Sequence, residues 1–170
     1  MDINDDSRKS ISRIDKVNGK YYAIITYSSY TRLGKVDEVY FKMYDLLIWR
    51  KSLRGMDWVS QIHGYPLYDA EKSRIIGFKL EDMMTDPKRR DAGYGSIMLN
   101  EFIACAKDFG AKYITGFLSS KDIGTKESAT QEQMENRERV YHFYKKHGFD
   151  ISQDEEPKIR LELQYPDNAE

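Results

Sequence analysis

Residues 80 to 96 constrain this chain more than any other stretch. Leu80-Glu81-Asp82-Met83-Met84-Thr85 reads as the end of a strand and Asp86-Pro87 as a turn. Arg90-Asp91-Ala92-Gly93-Tyr94-Gly95-Ser96 then opens a helix as an Arg-x-x-Gly-x-Gly run. A helix N-terminus presents backbone N–H groups that have no intrahelical acceptor. Glycine lets such groups approach a ligand closely, and the helix dipole adds positive potential. A pocket of this kind, with an arginine beside it, binds phosphate. The spacing fits neither the P-loop nor the dinucleotide fingerprint, the two common glycine-rich phosphate loops.

A second motif lies about fifty residues downstream: Arg139-Val140-Tyr141-His142-Phe143-Tyr144-Lys145-Lys146-His147-Gly148-Phe149. One amphipathic helix and one strand are expected between the two. The order and spacing resemble the GNAT family of N-acetyltransferases. Its pyrophosphate loop has this arginine and these glycines, and its later helix ends Phe-Tyr-x-x-x-Gly-Phe. The resemblance covers roughly residues 74 to 164. It implies an α+β domain built on a twisted, mixed, mostly antiparallel sheet with splayed central strands and flanking helices.

The same resemblance implies acetyl-CoA as co-substrate, no metal, and direct acetyl transfer to an amine. In the family, the amides of residues matching Asp91, Ala92, Gly93, Tyr94, Gly95 and Ser96 face the pyrophosphate, and Arg90 takes the family's Gln/Arg position. The alternative for Arg90 is a surface salt bridge. Met83, Met84 and Thr85 match the strand end that bonds the pantetheine arm through its backbone; their side chains could equally serve the core.

Transfer needs a neutral amine, and free amines with pKa near about 10 are mostly protonated at neutral pH. Glu81 and Asp82 are the candidate bases. Adjacent strand residues face opposite sides, but the family carries a bulge near here, so alternation leaves the choice open. Parity with Phe78 and Leu80 tells slightly against Asp82. Leu-Glu-Asp before Met-Met-Thr resembles the diamine and polyamine branch of the family. The position used as base in the histone-modifying branch aligns with Lys79. Tyr144 matches the tyrosine that protonates the departing thiolate, a task that suits a phenol; the alternative is packing against Phe149. The position often held by asparagine, seven residues before that tyrosine, is Arg137, with Asn136 one off.

The expected acceptor is a primary amine of a small molecule. The rivals are a protein lysine or N-terminus, which needs an open groove, and a non-catalytic acyl-CoA-binding module. The net charge of −1, with 32% charged residues, gives no global basic field of the kind that marks nucleic-acid binding. No run of 18 apolar residues reads as a membrane span. The acidic, polar N-terminus is unlike a signal peptide, so a cytoplasmic location is expected. The oligomeric state stays open, a homodimer included.

Cys105, the single cysteine, falls in an apolar helical pattern and is expected as a packed thiol. His63, His142 and His147 show no metal-ligand spacing, and the last two are expected on a helix surface.

The pattern predicts disordered tails at 1–9 and 166–170 around one domain at 10–165, with a β-rich N-terminal half. Strands are expected near 10–17, 21–27, 38–43, 73–84, 112–118 and 157–163, the first two joined by an Asn18-Gly19 turn. Residues 46–61 are ambiguous between helix and strand, with Gly55 as a breaker. Helices are expected over 96–109, stopped by Gly110, and from the Thr130 capping box to His147, stopped by Gly148. Residues 119–129 form a polar connection. One departure from the family stands out: residues 10–70 show no clear amphipathic helix, whereas the family places one or two helices after its first strand.

Overall fold

The computed structural model describes residues 8–31, 34–46, 58–71, 74–125 and 127–165, with side chains from Ser10 onward. Its strands are β1 (Arg8–Val17), β2 (Lys20–Tyr30), β3 (Val36–Asp45), β4 (Trp58–Tyr68), β5 (Ile75–Thr85), β6 (Tyr113–Phe117), β7 (Asp150–Ile151) and β8 (Lys158–Glu162). Its helices are α1 (Tyr94–Asp108), the single turn α2 (Ser120–Ile123) and α3 (Gln131–Lys146), with a 3₁₀ turn at Pro87–Arg89. Hydrogen-bonded strand neighbours follow the order β1-β2-β3-β4-β5-β6-β8-β7. The fold is therefore α+β, with an eight-stranded, mostly antiparallel sheet among the described residues and helices alongside.

Two compact units share the chain: Met1–Pro66 with Glu81–Cys105, and Leu67–Leu80 with Ala106–Glu170. In the first, β1 and β2 form a hairpin whose turn places Asn18 at φ 49° and Gly19 at φ 81°. A type I′ turn, one of the two that match strand twist, needs both angles positive, which Asn-Gly tolerates. β3 pairs antiparallel with β2 and β4. Along β3, Val39, Phe41, Met43 and Asp45 are buried and alternate with half-buried residues, the period of a sheet with one packed face. Helix α1 covers apolar surface with Tyr94, Met98, Leu99 and Phe102, all buried; the Phe102 ring stands edge-on to Phe41 at 6.1 Å. Burying one such phenylalanine stabilises by roughly 1.5–3 kcal/mol.

In the second unit the start of β5 pairs parallel with β6, from Gly77↔Tyr113 to Leu80↔Gly116. β8 pairs antiparallel with β6 and with β7. Phe78, Ile114, Ile123, Phe149 and Ile159 are fully or almost fully buried here. Thr130 and Gln133 exchange both bonds of a capping box at the start of α3. At its other end Gly148 takes φ 84°, and the Phe149 N–H donates to the Tyr144 carbonyl at 3.1 Å.

Four expectations change. Arg8 and Lys9 belong to β1 rather than a tail, because their backbone continues the ladder with β2; residues 1–7 and 166–170 lie outside the described residues. Within 46–61, β4 starts at Trp58, while Gly55 and its neighbours lie outside the described residues. The 119–129 connection contains α2, and Asp150–Ile151 forms a strand the sequence did not announce. Cys105 is half-buried at the margin of the α1 apolar face, whose packed centre is Met98, Leu99, Phe102 and Ala106.

Candidate functional site

The segment after β5 turns twice before it becomes helical. Asp86 caps the 3₁₀ turn by accepting from the Lys88 N–H at 3.0 Å, and its own N–H donates to the Val59 carbonyl at 2.9 Å. Asp91 then takes φ 62° and Gly93 φ 84°, both left-handed. Asp is one of the few residues that tolerate this region, and glycine adopts it freely. Left-handed turns of this kind are one way a chain brings successive N–H groups to one side, as in an anion nest. Among the described residues, the N–H groups of residues 91–95 have no protein acceptor. A Cβ built at Gly93 meets no protein atom within 4 Å, so the space beside that residue is open. Orphan donors, a helix N-terminus and an open approach fit a pyrophosphate.

The loop rests on a buried polar cluster. The Tyr22 and Tyr94 hydroxyls lie 2.6 Å apart. Burial, then the bond to Tyr94, pushes the Tyr22 phenol well above its ordinary value, so it stays neutral. Asp45, buried to 2% exposure, faces Arg89 Nη1 at 3.4 Å, and Arg89 Nε lies 3.6 Å from Asp86. Ser60 Oγ donates to the Met84 carbonyl at 3.0 Å and lies 2.9 Å from Thr85 Oγ1. The strand end and the loop are thus held from beneath. Of the two adjacent arginines, Arg89 serves the fold, and Arg90 is exposed with no carboxylate partner among the described residues. An open depression of about 530 Å³ is lined by Lys20, Tyr22, Asp86, Lys88, Arg89, Arg90, Ala92 and Tyr94.

β5 continues five residues past its last pairing with β6 at Leu80. Met83 and Thr85 are half-buried and Met84 is 42% exposed, so Met84 is no core residue. Glu81 and Asp82 are both exposed. Strict alternation fails here, and burial does not separate the two acids. In the second unit Tyr144 is the one buried residue of α3. Its ring meets Phe149 at 5.4 Å and Phe143 at 5.2 Å, both edge-on.

No protein-family model matches the sequence, and no characterised protein matches it by sequence similarity. Solved structures do match. An acetyltransferase of the GNAT family from Desulfovibrio desulfuricans superposes with a TM-score of 0.51 at 15% identity, over 75% of this chain and 71% of that one. An aminoglycoside 6′-N-acetyltransferase solved with coenzyme A gives 0.51 at 17% identity, over 77% and 76%. A GNAT acetyltransferase from Staphylococcus aureus Mu50 gives 0.50 at 14%, over 75% and 69%. This chain has the GNAT fold.

Residues 90 to 93 precede α1, and Tyr94, Gly95 and Ser96 open it. β1 leads directly into β2 through a two-residue turn, so no helix follows the first strand. Arg137, at the position GNAT proteins often give to asparagine, closes the C-terminus of α2. Its Nε and Nη2 donate to the Ile123 and Gly124 carbonyls at 3.1 and 2.8 Å. Gln133 and Asn136 add bonds to the Lys121 and Asp122 carbonyls. The Arg-x-x-x-x-x-x-Tyr spacing carried no sign of this clamp, because α2 was not expected. His142 is exposed, whereas His147 is half-buried against Phe143, their rings 5.0 Å apart. Burial, then the neighbouring Lys146, lowers its pKa. Among the described residues no three His, Cys, Asp or Glu side chains gather as a metal site.

Proposed function

We propose that the chain is an acetyl-CoA-dependent N-acetyltransferase acting on a primary amine of a small molecule. One observation carries most of this reading: the unpartnered amides of residues 91–95 at the α1 N-terminus, beside an exposed Arg90, at the end of a strand whose ladder with β6 has already stopped. The GNAT fold supports it.

In this reading the loop amides and Arg90 hold the pyrophosphate, and the backbone of Met83, Met84 and Thr85 bonds the amide-like arm. When bound, the co-substrate supplies the activated acetyl group. The exposed carboxylates Glu81 and Asp82 attract a cationic amine, and one of them takes its proton, so that a neutral nitrogen attacks. Tyr144 gives the proton that the departing thiolate needs. The acids favour a small cationic acceptor. They also distinguish this reading from a binding module, which needs neither an acid pair nor a phenol.

Two measurements test it. Calorimetry should register acetyl-CoA binding; no binding at all overturns the reading. A panel of diamines, polyamines and lysine peptides, assayed with acetyl-CoA, then identifies the acceptor. Reaction with the peptides alone replaces the small-molecule acceptor by a protein one, and binding without transfer leaves an acyl-CoA-binding module.

A further inference from the structure

β1 ends the strand order, so among the described residues one of its edges carries no ladder. The N–H and C=O groups of such an edge accept another strand. Large apolar side chains stand exposed beside it: Ile11 at 58%, Ile14 at 60% and, on β2, Tyr21 at 55%. Ile11, Ile14 and Lys16 pair with Ile25, Ala23 and Tyr21, alternate residues of β2, and so share one face. Arg13 and Asp15 lie on the other face, where Arg13 meets Asp15 at 2.8 Å and Glu101 of α1 at 2.9 Å. A bulge between Ile11 and Arg13 leaves Arg13–Val17 as the regular stretch. The two-residue turn closes on Val17 and Lys20 as a hydrogen-bonded pair, and such pairs alternate along a ladder. Val17, Asp15 and Arg13 therefore bond inward to β2, whereas the backbone groups of Lys16 and Ile14 point outward.

A second copy of β1 carries matching outward groups, and charge selects its register. A copy related by a two-fold axis can centre on any residue of the stretch; a shift by half a step sets outward groups against inward ones. Centring on Arg13, Asp15 or Lys16 sets that residue against its own copy, and like charges directly opposite are destabilising. Centring on Val17 runs the ladder into the Asn18-Gly19 turn. Centring on Ile14 sets isoleucine against isoleucine as a hydrogen-bonded pair, and Arg13 of each copy against Asp15 of the other. We propose that β1 pairs antiparallel with β1 of a second copy, centred on Ile14, to form a two-fold symmetric homodimer. The inference is independent of the acetyl-CoA reading above.

Sedimentation velocity on the full chain tests it. The wild type should dimerise with rising concentration and dissociate on dilution, as a small interface does. Asp15→Lys and Arg13→Glu each set like charges opposite one another, twice by symmetry, and should each weaken the dimer about tenfold or more. Mixed together, the two variants restore opposite charges at both positions and should form a heterodimer close to wild-type strength. Ile14→Pro removes the central outward N–H and should leave a monomer, since an edge strand accepts proline where the N–H faces away from the sheet. Melting temperatures separate lost pairing from lost folding, and the mixing experiment decides alone if Ile14→Pro does not fold. A wild type that stays monomeric at its highest soluble concentration overturns the inference and leaves the edge to an extended peptide. A dimer that persists at full strength in both charge variants, or a mixture no stronger than its parts, overturns the pairing through β1.

Discussion

The hydroxyls of Tyr22 on β2 and Tyr94, the first residue of α1, lie 2.6 Å apart in a buried pair, with the rings edge-on at 5.0 Å. This contact ties the start of the phosphate-loop helix to a strand 72 residues away in sequence. Each phenol is the other's partner, and a buried polar group left alone is costly.

Tyr22→Phe or Tyr94→Phe alone should therefore destabilise by about 1–3 kcal/mol, since each strands one hydroxyl. The double variant should cost clearly less than the sum, because it removes both polar atoms and keeps both rings. Denaturant unfolding of the four proteins measures this. Strict additivity would show that the hydroxyls do not interact.

Left-handed backbone at residues 91 and 93 separates two effects that one substitution would mix. Gly93→Val should abolish coenzyme A binding, because side-chain atoms would fill the open space beside Gly93 and block close approach to the loop amides. The positive φ alone costs the fold about 1–2 kcal/mol. Asp91→Gly should do the reverse: it relieves a left-handed non-glycine residue and removes a negative charge from an anion site. Stability should hold or rise slightly, and coenzyme A should bind more tightly. Calorimetry paired with thermal unfolding reads both outcomes, and weaker binding in Asp91→Gly would contradict the loop assignment.

Arg137→Met keeps much of the side chain's length but removes the two bonds to the Ile123 and Gly124 carbonyls. Stability should fall by about 1–3 kcal/mol. Hydrogen exchange should quicken first at the amides of residues 122–124, which bond within α2 and its cap. An effect spread evenly over the chain would argue against a local clamp.

What could be read in advance is what short-range chemistry encodes. Asn18-Gly19 determines its turn by its own φ preferences, and Thr130 with Gln133 determines a helix start within four residues. The Arg90-Gly93-Gly95 loop is likewise local. Asp45 is the contrary case: it ends a strand as an ordinary acid, and Arg89, 44 residues away, helps make its burial tolerable. The same holds for Tyr22 and Tyr94. The apolar pattern of α1 was legible, but a pattern gives a face and not its centre, so Cys105 at the margin was placed too deep. α2 is one turn long, and much of its support comes from side chains of α3, which no local pattern in 119–129 contains. Between Glu81 and Asp82 the structure leaves the choice where the sequence left it, because both are exposed.

His147 makes stability depend on pH in a definite direction. Burial holds its folded pKa below the unfolded value of about 6.5. Between those two values the unfolded chain binds more protons, so stability falls as pH drops below about 6.5 and levels off beneath the folded pKa. His147→Gln should flatten that part of the curve. Denaturant midpoints between about pH 5 and 7.5 test it, and an unchanged slope in the variant would assign the dependence elsewhere.

The proposed chemistry stands or falls on three side chains. Tyr144→Phe keeps the ring packed against Phe143 and Phe149 and removes only the hydroxyl. If that hydroxyl protonates the departing thiolate, turnover should drop by about 10²–10⁴-fold with coenzyme A affinity unchanged. Equal turnover would return Tyr144 to a packing role. Glu81→Gln and Asp82→Asn are mild changes at exposed positions, so neither should unfold the chain. If one carboxylate takes the proton of the amine, one variant should be impaired far more than the other. The wild-type rate should rise with pH through neutrality as more of the amine becomes neutral. The variant that lacks the base should recover part of its activity at high pH, where the amine loses its proton unaided. If both variants match the wild type across the pH range, the acids serve neither as base nor as attraction for the amine, and the cationic acceptor loses its main support.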